Sequence, residues 1–290
     1  MRVDELIANR TRPLFSVELW PPRSPAAEAR LQAALSELSR LGVDFASITY
    51  GAGGSTREHT HELVTRLRRD YGLLPVAHLV TAAHTQDDLE SILERYASQG
   101  IENVLALRGD PPLEASCALA PGEFNHAIDL ARLASRKYSM CVGVAAHPEG
   151  HPEAPSFEVD MDRLAEKLEV ADYAITQFFY TADRYARLRD ALAKRGIEKP
   201  VLPGIMAPTS LSTLRRMAEL SGTPIPAKVA ARLERYEGDA AGFQAEGTRI
   251  AIELCTELLA MGAEGLHVFT MNQAATTVAI HEAVFGSSGA

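Results

Sequence analysis

Glu18 stands between Val17 and Leu19 in the run Ser16-Val17-Glu18-Leu19-Trp20, a carboxylate set into an apolar strand pattern. Burial disfavours a charged carboxylate, so such a group is expected to hold its proton close to neutral pH and to donate it there. A strand-end carboxylate paired with a nearby arginine is the plainer reading. Arg108-Gly109-Asp110-Pro111-Pro112 ends a second apolar run with two opposite charges and a proline stop. It reads as a structural ion pair, or as a fixed carboxylate, Asp110, that stabilises a cation developing in a substrate. Gly51-Ala52-Gly53-Gly54-Ser55 offers backbone N–H groups of the sort that cradle phosphate, although an ordinary loop has the same composition. No Gly-Lys-Ser/Thr follows it, so it is not a nucleotide-hydrolysing P-loop. His147-Pro148-Glu149-Gly150-His151-Pro152-Glu153 has the residue types of a metal site. Its prolines forbid the helix that would put both histidines on one face, so no metal is expected and a rigid ligand-contacting loop is the better reading. Lys167 is either a solvated side chain or a reach toward a phosphate.

These residues need elements to position them. Apolar runs at Phe15–Leu19, Phe45–Tyr50, Pro75–Val80, Val104–Leu107, Cys141–Ala146, Tyr173–Phe179, Val201–Met206 and Gly265–Met271 read as eight strands. Amphipathic stretches such as Ala26–Leu41, Glu58–Tyr71, Asp87–Ser98 and Ala182–Arg195 alternate with them. Gly42, Gly72, Gly100 and Gly196 sit where helices end. Strict alternation implies right-handed crossovers and a parallel sheet, and eight units imply a (β/α)8 TIM-type barrel rather than an open sheet. The first strand runs into Trp20-Pro21-Pro22-Arg23, which no dinucleotide-binding turn would tolerate. The long seventh connection predicts an extra helix over Pro226–Tyr236 before a long one over Ala240–Met261. Residues 1–290 are read as a single catalytic barrel, with 1–12 a lead-in and 286–290 a loose tail. Active sites of such barrels lie at the C-terminal strand ends. There the sequence gathers Glu18, Thr49, Tyr50, His78, Arg108, Asp110, His147, Gln177, Asn272 and Gln273.

The whole-chain numbers narrow the partners. A net charge of −9 over 290 residues, with no basic block, argues against nucleic acid and against an anionic membrane surface. Three scattered cysteines, Cys117, Cys141 and Cys255, suit a reducing compartment. No stretch has the length of a membrane span and the N-terminus lacks a signal peptide's apolar core, so a cytoplasmic protein acting on small molecules is expected. A homo-oligomer is compatible with all of this.

Taken in order, several segments resemble methylenetetrahydrofolate reductases. Ser16-Val17-Glu18-Leu19-Trp20-Pro21-Pro22-Arg23 is similar to that family's first strand, and Ile48-Thr49-Tyr50-Gly51-Ala52-Gly53-Gly54-Ser55 to its second-strand loop. Ala77-His78-Leu79, Ala106-Leu107-Arg108-Gly109-Asp110-Pro111, Pro148-Glu149-Gly150-His151-Pro152-Glu153-Ala154, Ile175-Thr176-Gln177-Phe178-Phe179 and Leu202-Pro203-Gly204-Ile205 continue the likeness across essentially the whole chain. The resemblance implies reduction of 5,10-methylenetetrahydrofolate to 5-methyltetrahydrofolate by NADH or NADPH through bound FAD, in a ping-pong scheme. It implies Glu18 as the acid and Asp110 as the electrostatic stabiliser. It further implies Thr49, Tyr50, Ala52, His78, Arg108, Gly109, Asp110, Ala127, His147, His151, Ala154, Asp160 and Lys167 around FAD. Glu18, Asp110, Gln177, Met217, Phe269 and Gln273 would meet the folate.

The chain departs from the family in several places. His147 replaces a tyrosine at the adenine end of the flavin site, Gln273 replaces a substrate-binding arginine, and Phe269 replaces a tyrosine. The Lys167–Gln177 segment is a residue short. These departures keep two alternatives open: a flavin-free reductase with direct hydride transfer, and a folate-binding paralogue without turnover. Another flavin barrel, of the proline dehydrogenase kind, would have no need of Glu18 as an acid. Eukaryotic members add a regulatory domain that senses S-adenosylmethionine; the chain ends soon after the barrel, so no such inhibition is expected.

Overall fold

The computed structural model describes residues 1–51, 57–82, 84–109 and 124–286. A short helix, α1 (Val3–Ala8), precedes β1 (Leu14–Leu19), and the remaining strands are β2 (Phe45–Ile48), β3 (Pro75–Val80), β4 (Asn103–Leu107), β5 (Cys141–Ala146), β6 (Tyr173–Thr176), β7 (Val201–Leu202), β8 (Gly204–Ile205) and β9 (Gly265–Phe269). All pair in parallel, in the order β7-β6-β5-β4-β3-β2-β1-β9-β8. The two ends of that order, β7 and β8, are consecutive in the chain and separated only by Pro203, so the sheet closes on itself. The expected barrel is present.

Its seventh stave differs from the single strand expected over Val201–Met206. β7 pairs with β6 and β8 pairs with β9. Pro203 has no N–H to give, while its carbonyl accepts from His267 N at 2.9 Å. Gly204 N turns aside to Thr176 Oγ1 at 2.8 Å. A Cβ on Gly204 would lie 2.1 Å from the Thr176 carbonyl oxygen, so only glycine lets the stave pass so close to β6. The strands expected to reach Tyr50, Phe179 and Met271 stop at Ile48, Thr176 and Phe269; the polar residues beyond are loop, as a ligand-facing rim requires.

The outer ring is α2 (Pro25–Leu38), α3 (Arg57–Tyr71), α4 (Gln86–Ser98), α5 (Ala127–Tyr138), α6 (Phe157–Val170), α7 (Ala182–Ala193), then α8 (Leu211–Ser221), α9 (Ala227–Glu234), α10 (Ala240–Ala260) and α11 (Ala274–Phe285). The extra helix expected over Pro226–Tyr236 is α9, and α8 precedes it unforeseen. Ser24 caps α2 by accepting from Ala27 N at 3.2 Å, with Pro25 as the first helical residue. Gly42, Gly72, Gly100 and Gly196 all have positive φ, as their places after helices demand.

The lead-in is also helical. α1 buries Val3 and Ile7 against Leu14, Phe45, Val76, Leu105, Tyr173 and Leu202, which fill the lower barrel. Asn103 Oδ1 accepts from Val3 N at 2.8 Å and ties this plug to β4. One helical turn and a half is too short for a periodic signal. Above the plug lies a polar layer: His267 Nδ1 is 2.9 Å from Ser16 Oγ, and Nε2 is 3.2 Å from Ser47 Oγ. Ser16 donates to the Leu266 carbonyl at 3.1 Å, so it accepts from Nδ1–H and Ser47 donates to Nε2. Burial, then His78, hold His267 neutral, with its pKa pushed down to about 3. The upper end of the barrel stands on this layer.

Candidate active site at the barrel mouth

Strand alternation turns Ser16 and Glu18 to the interior and Val17 and Leu19 to the helices. Glu18 pairs in register with Ser47 on β2 and Phe269 on β9, one step above the histidine layer. Its side chain is 14 % exposed, and burial drives its pKa from 4.5 up to about 7. The indole N–H of Trp20, donating to Oε1 at 3.3 Å, works weakly against that rise by favouring the anion. His78 Nε2 lies 3.7 Å from Glu18 Oε2. This is no ion pair, because burial lowers the His78 pKa to about 3 and leaves the imidazole neutral. His78 Nε2 is buried without a hydrogen-bond partner. A carboxyl half protonated near neutral pH, beside a neutral imidazole with an unused nitrogen, can donate a proton to a base placed over it.

From Glu18 the rim follows β2 to β5. Thr49, half-buried, gives its carbonyl to Thr60 Oγ1 at 3.0 Å, and Tyr50 OH is 2.9 Å from His84 Nε2. Burial raises the Tyr50 pKa to about 12. Gly109 has φ +82, and a Cβ there would sit 2.8 Å from Val80 Cβ, so glycine lets the end of β4 fold onto β3. Arg108 holds Glu153 through both Nη atoms. His147 and His151 meet edge to face at 4.7 Å, and burial, with the charges of His151, Lys167 and Arg108 nearby, lowers the His147 pKa to about 3. Asp160 Oδ2 accepts from His151 N at 3.0 Å, and Ala154 N closes the same turn on the His151 carbonyl at 2.9 Å. Lys167 donates to the Ala145 carbonyl at 2.7 Å; burial lowers its pKa to about 8 against the opposing pull of Asp160. Ala127 opens α5. Asp110 and Ala52, expected at the mouth, lie outside the described residues.

On the far side Gln177 spends its side-chain oxygen on Phe178 N at 3.0 Å, which leaves its amide N–H groups to give. Met217 on α8 and Phe269 on β9 pack on one cluster formed by Phe178, Tyr180, Met206 and Leu214, so these two candidates do come together. Gln273 follows a bend in which Met271 and Asn272 have φ +52 and +56. Asn272 accepts from Trp20 N at 2.9 Å and donates to the Trp20 carbonyl at 2.9 Å, stitching the β9 loop to the β1 loop. Thr270 Oγ1 donates to the Glu18 carbonyl at 2.7 Å. Asn272 was expected at this rim; Trp20 and Thr270 were not singled out as site residues. For Trp20 a signal existed: two residues along a strand from Glu18, it shares the carboxylate's face.

A cleft of about 670 Å³ opens between these loops, lined by Trp20, Arg23, Arg30, Thr49, Met271 and Gln273 among others. The fold and this polar mouth place the protein in the class of α/β-barrel enzymes. Comparison with known proteins takes it further. The profile of the methylenetetrahydrofolate reductase family matches residues 2–284. The 5,10-methylenetetrahydrofolate reductase of Salmonella typhimurium is 33% identical over 269 residues, covering 91% of this chain and 88% of that one. Methylenetetrahydrofolate reductase (NADH) 1 of Arabidopsis thaliana is 33% identical over 279 residues, which are 92% of this chain and 47% of the plant protein. The chain belongs to the methylenetetrahydrofolate reductase family. In three dimensions it is similar to an uncharacterized Clostridium thermocellum protein that binds two copies of 5-methyl-5,6,7,8-tetrahydrofolic acid, with a TM-score of 0.65 over 97% of both chains; at 15% identity that likeness concerns the fold.

Proposed function

We propose that the chain reduces 5,10-methylenetetrahydrofolate to 5-methyltetrahydrofolate with a reduced nicotinamide as hydride source and FAD held at the barrel mouth. The observation that carries this reading is Glu18, a carboxyl in a dry strand-end position whose proton is retained up to about pH 7. Opening the substrate's five-membered ring to a cationic iminium requires protonation of the departing nitrogen, and an acid of that strength is suited to the step. Asp110 would face the iminium as a fixed negative charge. The amide N–H groups of Gln177 would hold the pterin in place.

The FAD part rests on the arc from β2 to β5. Thr49, Tyr50, His78, Arg108, Gly109, His147 and His151 follow one another round the rim, and Ala127, Ala154, Asp160 and Lys167, together with Ala52, would supply the remaining contacts. The unpartnered His78 Nε2 is an orphan that a bound polar ring would satisfy. When bound, FAD would accept hydride from the nicotinamide and deliver it to the folate. A second reading, direct transfer from nicotinamide without flavin, is favoured by two observations. Lys167 is spent on the Ala145 carbonyl and Arg108 on Glu153, so both cations expected near the cofactor have protein partners.

An anaerobic visible spectrum distinguishes them. Purified protein should show a flavin band that bleaches with NADH and returns on adding methylenetetrahydrofolate. NADH consumption without any such band, FAD having been supplied, would establish direct transfer. Folate binding with no NADH consumption would leave a non-catalytic paralogue and end the reductase reading.

A further inference from the structure

We propose that Trp20 is a positioning residue for the acid: its indole N–H holds Glu18 Oε1, so the proton to be delivered rides on Oε2, and the bend after β9 keeps the indole in place. The catalytic half of this inference rests on the reductase reading above. The geometric half, one oxygen held and the other free, does not.

β1 cannot run on past Leu19 as a strand, because Pro21 and Pro22 have no N–H to give to a ladder. Trp20 is left with a backbone N–H and a carbonyl to satisfy, and the side-chain amide of Asn272 takes both. Its Oδ1 accepts from Trp20 N and its Nδ2 donates to the Trp20 carbonyl, each at 2.9 Å. One side chain thus stands in for a neighbouring strand. The bend that brings it there holds Met271 and Asn272 at φ +52 and +56, a region that residues other than glycine keep only where their surroundings enforce it. Thr270 closes the ring: its Oγ1 accepts from Asn272 N at 3.0 Å and donates to the Glu18 carbonyl at 2.7 Å. The same bend therefore fixes the backbones of Glu18 and Trp20 together.

Packing alone does not call for so much support. Trp20 is 38% exposed, on the wall of the large cleft. What the clamp secures is a donor at the carboxyl. An indole N–H can only donate, so Glu18 Oε1, at 3.3 Å, must accept, and a proton on this carboxyl belongs to Oε2. Oε2 faces His78 Nε2 at 3.7 Å, beyond hydrogen-bonding distance, and has no hydrogen bond among the described residues. Its proton is uncommitted until a base arrives. Once that proton passes to the departing nitrogen of the folate, the charge left on Glu18 keeps the indole hydrogen bond, which is stronger to a carboxylate than to the neutral acid. Around the acid, Ser47 on β2 and Phe269 on β9 do not titrate near neutrality, and His78 on β3 and His267 on β9 are held neutral by burial. Asp110, expected at the same rim, lies outside the described residues.

Trp20 is the chain's sole tryptophan, so an auxotrophic host fed β-(3-benzothienyl)alanine replaces the indole N–H by sulfur at this position alone. Loss of the donor disfavours the Glu18 anion and raises its pKa. The alkaline limb of folate reduction should then move up by about half a pH unit or more, and the plateau below it should fall about 2–10-fold, the worth of one hydrogen bond. Asn272→Gly, which keeps the left-handed backbone and drops the amide, should move the limb the same way. A merely structural role would lower rates and leave the limb in place, and an unmoved limb in the sulfur isostere overturns the proposal. A second measurement needs no turnover. Trp20 emission, titrated through neutrality in the full chain, should show an inflection near pH 7 that disappears in Glu18→Gln. A flat titration, or an inflection that survives Glu18→Gln, overturns the geometric half. The expected inflection in a protein that consumes no NADH would instead remove the reductase reading, and the catalytic half with it, leaving the held oxygen standing.

Discussion

Glu18 carries opposite demands from folding and from chemistry. Its pKa lies near 7 instead of 4.5, so the folded protein holds this proton more tightly than the unfolded chain does. The ionised form therefore begins to cost stability as pH rises above about 4.5, and the cost is fully felt beyond about 7. At roughly 1.36 kcal/mol for each pH unit it approaches about 3 kcal/mol at pH 8. Glu18→Gln, a neutral isostere, should raise stability toward urea at pH 8 by up to that amount and leave it unchanged at pH 4. The same substitution should slow folate reduction by about 10²–10⁴-fold while sparing reduction of any bound flavin by NADH. In the wild type the folate step should weaken as pH climbs through 7. A variant that is no more stable at pH 8, or that still reduces folate, would remove the dry carboxyl from the mechanism. Glu18 was legible because a lone carboxylate in an apolar strand has few explanations. The Trp20 contact and the neutral state of His78 were not, since both depend on which side chains meet across strands far apart in sequence.

At the scale of elements, the broken seventh stave is where sequence and structure part. Val201–Met206 reads as one apolar strand because periodicity registers side chains, whereas the break is made by a missing N–H at Pro203 and a close approach at Gly204. The other staves were readable because buried parallel strands are continuous apolar runs. α8 and α9 were only half legible. They fold onto a cluster of their own, Phe178, Tyr180, Met206, Leu214, Val229, Leu233, Phe243 and Ile250, whose partners come from distant segments. Gly204→Ala would drive a methyl into the Thr176 carbonyl and against the Phe269 ring, 2.8 Å away. A loss of about 1–3 kcal/mol or more in urea unfolding is expected, as for overpacked cores, with the proposed folate site disturbed through Phe269. An unchanged midpoint would mean that the stave is free to shift.

For the whole molecule, closure is what matters. β1 pairs with β9 along Leu14 to Glu18, and β8 joins the ring through β9. The first strand thus waits for the last, and contacts of such long sequence separation form late. A chain cut after Gly262 should lack ordered tertiary structure, because one edge of β1 and the partner of β8 are gone together. Native-like near-ultraviolet dichroism from that fragment would show that the other staves close without it. Among the described residues no helix is long and apolar enough to cross a membrane.

The end of α11 packs beside the entrance to β1: the Phe285 ring lies 5.7 Å from that of Phe15, and Arg12 lies over Phe285 at 5.7 Å. The two extremities of the barrel are therefore neighbours at its foot, on the side opposite the mouth. Met1 lies across that foot with its amino group on Glu102 beside β4, so a linker spanning the floor could join it to α11 and the chain could be reopened elsewhere, for instance at Gly238 between α9 and α10, giving a circular permutant with the same ring of staves. In such a rearranged gene the order of translation would change while the catalytic rim kept its geometry, so the arrival of the strands could be varied independently of the chemistry they support.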